Sequence, residues 1–320
     1  MFDREKELIN DIDFSLSPEK WTLENIFLFL QTPFKNIFFP WIVIILIINR
    51  NNWKKTIIYI LLFHYIFRTT GDLLRSLSNA IPVTENRKSI WPYSVTRFNV
   101  GCIMAYFFWA TGEIIGDWYP TVRACKIVHS KKKKILLKSS CIIYNFSKMS
   151  SFLVYIYYGR KIQFKNKTMV QDSKIFDELL KHWWITVIVH FIFSLINDAC
   201  VIYALKTEVF NKLKTLKGRS YGFVENFKQI SELRIILSMI VSICFIFFTI
   251  PILMVKFKEC GEKDKKVTNV FDQFEINTIR DTVVSFNHIM MYIDQVLLKY
   301  ISTNPSKKMP KLNTIPESLY

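Results

Sequence analysis

The stretch FFWATGEIIGDWYPTVRACK, residues 107–126, decides how the chain is read. An apolar run enters it. Two acids follow one helical turn apart, Glu113 and Asp117, then the aromatic pair Trp118-Tyr119, and after Pro120 the sequence turns basic. Trp and Tyr collect at the membrane–water boundary and Lys and Arg just beyond it, so this order is that of a helix leaving a bilayer. On that reading Glu113 and Asp117 mark the water boundary; the competing reading places them inside the membrane.

Composition supports the bilayer. The 320 residues are 51% hydrophobic and include 28 Phe and 14 Tyr against 8 Gly, more large apolar surface than one soluble core of this size requires. A membrane-crossing helix needs about 20 mainly apolar residues. Seven segments approach that length: 34–49, 56–77, 93–118, 135–158, 178–204, 232–256 and 276–300. The expected fold is therefore an all-α integral membrane protein, one bundle of about seven transmembrane helices over residues 34–300. An N-terminal segment, 1–33, precedes it and a short tail, 301–320, follows. Ser17 and Pro18 predict the start of a short interfacial helix, with Trp21, Ile26, Phe27 and Leu28 toward the headgroups and Pro33 at its close. The acidic opening MFDREKELINDIDF lacks the apolar core of a signal peptide.

Orientation follows from the connectors. Segments 50–55, 119–134, 205–231 and 301–320 hold 18 Lys and Arg with three acids; the opposite set holds 14 with fifteen acids. Basic residues near span ends stay cytoplasmic, which places the N-terminus outside. The sequon Asn166-Lys-Thr168 then lies in an outer connector open to glycosylation, whereas Asn145-Phe-Ser147 falls inside a span. Lys131, Lys132, Lys133 and Lys134, with Arg123 and Lys126, form a juxtamembrane cluster suited to anionic lipid headgroups, at about 1 kcal/mol per basic residue. Nucleic acid is not an expected partner, because no folded soluble domain presents these charges. The basic connector 205–231, with Gly218 as its turn, is where a cytoplasmic protein is expected to dock. Six cysteines show no CxxC or metal spacing, and only Cys102 and Cys260 are placed to meet in an oxidising compartment.

Polar residues within the spans carry the functional expectation, since charge there is costly and tends to be paired or functional. Arg68, Asp72 and Arg75 share one helix face, so Asp72 is expected to pair with both arginines. Glu113, Asp117, Asp198 and Asp294 fall in the same half of their spans and suggest an acidic cluster, or a lock with Arg123, Lys126 and Lys299. His288 sits in the last span, with His64 and His190 in two others. Zinc hydrolases of seven spans use paired histidines at helical spacing on one span; here span seven offers only His288, so no metal and no cofactor is expected. No arrangement of residues suits catalysis.

Class A receptors close their third span with acid-Arg-Tyr; this chain has Asp117-Trp118-Tyr119, and Asn304-Pro305 comes too late for the pattern of their seventh. The segments EKWTLENIFLFLQTP (19–33), WPYS (91–94), TGEIIGDWYP (111–120), FKQISELR (227–234) and FNHIMMYIDQVLL (286–298) resemble a multicopy group of multi-span proteins of early-diverging fungi. The resemblance covers nearly the whole chain and implies a repeated membrane scaffold with no activity attached. Topology favours a receptor-like sensor. The alternatives are an ion channel or transporter using Asp198 and Asp294, and a membrane-embedded hydrolase or lipid-organising protein. Plasma membrane and endoplasmic reticulum are both open.

Overall fold

A computed structural model of the chain describes residues 18–50, 54–81, 95–161, 169–215, 221–259 and 273–303. Every regular element among them is helical: α1 Pro18–Lys35, α2 Phe39–Ile48, α3 Thr56–Ala80, α4 Val95–Ile127, α5 Lys131–Gly159, α6 Met169–Thr215, α7 Tyr221–Glu259 and α8 Gln273–Thr303.

Breaks in the apolar runs have local causes. Helix α1 continues through Pro33, expected to end it, and stops at Lys35. Asn36 makes the corner, its Oδ1 accepting from the Phe38 N–H at 3.0 Å, and Pro40 opens α2 in the turn where no intrahelical N–H is needed. The two helices meet at 53°. In α4, residues Asn99–Met104 widen into a π-helical turn whose Gly101 carbonyl accepts from Arg75 Nη1 at 3.2 Å.

Among the described residues, four helices are long and apolar enough to cross a bilayer: α3, α4, Glu178–Thr207 of α6 and Arg234–Met254 of α7. The bent α1–α2 pair makes a fifth if its halves form one span. That is fewer than the seven expected. Helices α5 and α8 are less apolar, since Ser, Tyr and Asn145 join Lys138 and Lys148 in α5, and Asn287, His288, Asp294 and Gln295 interrupt α8.

Neighbouring helices pack antiparallel. Gly71 of α3 lies against Trp109 of α4, and Gly112 of α4 against Arg68 of α3. Ser140 and Ser151 of α5 donate to Asn197 and Thr186 of α6 at 2.9 and 2.7 Å. Three apolar clusters hold the bundle, around Phe98, Trp183 and Phe245; around Phe38, Tyr119 and Tyr292; and around Val128, Leu137 and Ile235. Outside, the surface is apolar. Phe247 is 71% exposed and Phe146 76%, whereas Lys148, two residues from Phe146, is 4% exposed. Water would select the reverse arrangement, so oil outside and charge inside is the signature of a bundle in lipid.

Helix α6 has 47 residues, about 70 Å at 1.5 Å per residue, and outruns its apolar window. With α7 it forms two helical arms beyond Thr207 and before Arg234, on the side where the Lys131–Lys134 run begins α5. Gly218 and the close of the hairpin lie outside the described residues, as do Ser17, Asn166, Cys260 and the 304–320 tail.

Candidate functional site

Two glycines on α4 place the site. Gly112 and Gly116 stand four residues apart, the spacing that brings membrane helices close. A Cβ at Gly112 would lie 3.0 Å from Arg68 Cγ; one at Gly116 would lie 2.8 Å from His288 Cδ2 and 2.9 Å from His64 Cδ2. The bare face therefore meets α3 and α8, and the residues beside the glycines, Glu113 and Asp117, are drawn into the interior.

There they take cations from other helices. Glu113, 5% exposed, pairs with Arg68 of α3 at 2.9 Å, Lys148 of α5 at 3.3 Å and Arg280 of α8 at 3.9 Å. Asp117 pairs with Lys148 at 2.6 Å and lies 3.7 Å from His288 Nε2. Two turns further along, Asp294 of α8 binds Arg123 of α4, lies 3.6 Å from Arg234 Nε of α7, and accepts from the Tyr119 hydroxyl at 3.1 Å. The guanidinium groups of Arg123 and Arg234 lie 5.9 and 5.3 Å from the Tyr119 ring centre. Between these layers is a cavity of about 60 Å³ whose ionisable lining is Asp117, Tyr144, Lys148, His190, Asp198, Arg234 and His288. At about 15 Å³ per water it holds some four waters.

Polar atoms around the cavity are left over. His190 Nδ1, Asn287 Oδ1 and His288 Nε2 have no hydrogen-bond partner among the described residues. Asp198 accepts from Ser238 Oγ at 3.4 Å and makes no ion pair among the described residues. From Glu113 to Arg123 the column follows ten residues of α4, about 15 Å, half of a hydrocarbon core about 30 Å thick.

Several expected residues stand elsewhere. Glu113 and Asp117 do not face outward: the glycine face buries them in the bundle. The acids are not an acidic cluster: Glu113, Asp117 and Asp294 each have a cationic partner. Arg68 turns away from its own helix to Glu113, while Asp72 accepts from Trp109 Nε1 at 2.8 Å and Asn36 Nδ2 at 2.7 Å, which ties the α1–α2 corner to α3 and α4. Arg75 packs on the π-helical turn. Arg123, counted with the headgroup-binding cluster, is buried on Asp294, whereas Lys126, Lys131 and Lys132 are exposed and Lys133 and Lys134 half-buried. Among the described residues, no group of three His, Cys, Asp or Glu side chains is arranged to hold a metal.

Lys148, Arg280 and Arg234 were not singled out from the sequence. Lys148 and Arg280 lie inside the runs 135–158 and 276–300, where a charge is the signal that picked out the other candidates, and Arg234 stands at the start of the run 232–256.

Fold and site together define a polytopic membrane protein with a charged interior. Compared with known proteins, the chain matches no family model, no curated sequence and no solved structure.

Proposed function

We propose that the chain is a receptor-like membrane sensor in which the occupancy of the interior cavity is reported by the α6–α7 hairpin. In this reading α5 and α8 also cross the bilayer, giving seven crossings with the N-terminus outside. Lys126 and Lys131–Lys134 then meet anionic headgroups, and the connector 205–231 docks a cytoplasmic protein. The observation that carries it is the position of Asp294, which links Arg123 of α4 to Arg234 of α7, where the apolar window of α7 begins. Loss of that one carboxylate leaves two guanidinium groups facing each other across two helices, and their repulsion drives α7 away from α4. The test is a distance measurement between labels at positions 215 and 127 in the reconstituted protein. Asp294→Asn lengthens the distance; an unchanged distance with a folded variant sinks the sensor reading.

The charged column itself favours a second reading, a channel or transporter, since files of ionisable groups inside a bundle mark ion and proton paths. Ion flux in liposomes, compared among the wild type, Asp198→Asn and Asp294→Asn, decides it; equal flux in all three removes this reading.

A further inference from the structure

The cavity holds one pair of groups whose hydrogens do not balance. His288 Nδ1 lies 2.9 Å from the Val284 carbonyl oxygen. A carbonyl only accepts, so Nδ1 carries the hydrogen and Nε2 of the neutral ring presents a lone pair. That lone pair faces Asp117 Oδ1, another acceptor, at 3.7 Å. His288 is buried, and Nε2 has no hydrogen-bond partner among the described residues. Two acceptors facing each other in a bundle interior lack one proton between them.

We propose that this slot is a proton-binding site, with His288 Nε2 taking a proton from hydronium in the cavity and donating it toward Asp117 Oδ1, so that the species sensed by the interior is the proton. The N–H bond forms as hydronium becomes water, and release reverses it. The imidazolium gives Asp117 a second cation and loosens its hold on Lys148, whose other carboxylate, Glu113, stands 3.3 Å away.

The ionisable groups packed around His288 come from every neighbour. Arg68 and His64 belong to α3, with the His64 ring centre 4.6 Å away, and Glu113 and Asp117 to α4. Helix α5 supplies Tyr144 and Lys148, α6 His190 and Asp198, and α7 Arg234. Arg280 and Asp294 are on its own helix, and the corner before α2 is approached through Phe38, whose ring stands edge-on. The bases oppose the imidazolium and the acids favour it; of these Asp117 faces Nε2 directly. His64 does not share the role. The Tyr292 hydroxyl that it contacts at 2.8 Å donates to the Leu61 carbonyl, and the Nε2 of His64 faces no carboxylate within 4 Å among the described residues.

Coupling of this proton to the hairpin rests on the sensor reading, but the site itself is tested alone. The chain has five histidines, few enough for ring-¹⁵N spectra of the full-length protein in lipid, with His288→Gln assigning the signal. The wild-type Nε2 is an unprotonated lone pair in alkaline samples and carries a proton in acidic ones. In Asp117→Asn the amide N–H fills the slot, and Nε2 stays a hydrogen-bonded lone pair throughout. In Lys148→Gln, with the competing ammonium gone, a larger share of His288 carries the Nε2 proton than in the wild type at the same acidity. A wild-type ring that holds one state across the range overturns the proposal, as does a titration identical in the wild type and in whichever of the two variants folds. A titrating His288 beside a hairpin that ignores Asp294→Asn refutes the sensor and keeps the proton site; the opposite pair of results keeps the sensor and refutes the site.

Discussion

Replacing Lys148 by Met separates the charge network from ordinary packing. The ammonium meets Asp117 at 2.6 Å and Glu113 at 3.3 Å, with 4% of the residue exposed. After Lys148→Met, Glu113 still has Arg68 at 2.9 Å and Arg280 at 3.9 Å, so it stays neutralised. Among the described residues, Asp117 is left with His288, at 3.7 Å. The loss therefore falls on Asp117, and stranding one member of a buried pair costs about 3–5 kcal/mol. Adding Asp117→Asn to the variant removes the stranded charge and should recover most of that loss. The double-mutant cycle then shows a coupling of about 2 kcal/mol or more, whereas groups that do not interact add within about 0.5 kcal/mol. Reversible unfolding in mixed micelles, followed by fluorescence of the eight tryptophans, reads all four proteins. Additive losses would refute the pairing and with it the charged column.

Other expectations follow from single contacts. Gly116→Ala forces a methyl between His64 and His288 and should destabilise by about 1–3 kcal/mol in the same unfolding assay, more than Ala110→Gly on the same helix. Changing Lys131–Lys134 to Gln should reduce the anionic lipid retained in native mass spectra, at about 1 kcal/mol per charge, with neutral lipid unaffected. Asn166→Gln should abolish an endoglycosidase-sensitive gel shift if its connector is outside; a sequon engineered into 205–231 that is glycosylated instead would invert the molecule.

Helix positions were legible because apolar runs of membrane length need no partner to be recognised. The 178–204 and 232–256 runs lie within α6 and α7, whose apolar windows are Glu178–Thr207 and Arg234–Met254. What was not legible is which side chains meet. Glu113 and Lys148 are 35 residues apart and Arg123 and Asp294 are 171 apart, so their pairing depends on helix rotation, which no local pattern states. Trp118-Tyr119 directed the reading of Glu113 and Asp117 away from the burial they show. Tyr119 is fully buried and donates to Asp294, so that half of the pair is not an interfacial anchor. The Gly112–Gly116 spacing was readable and would have corrected this, because a glycine face seeks another helix and carries the adjoining acids inward. The imbalance at His288 depends on one backbone carbonyl and was beyond any reading of residue types.

The central claim is a bundle with charge inside and lipid outside, crossed by the polar helix α5 as well as by the apolar ones. Single cysteines at positions 130 and 160, placed in a chain freed of its six native cysteines, flank α5. Labelling of sealed proteoliposomes with a membrane-impermeant maleimide tests it. The account predicts that the two positions react from opposite sides of the membrane. Reaction of both from the same side would mean that α5 does not cross and that Lys148 does not sit inside a spanning bundle, contradicting the account.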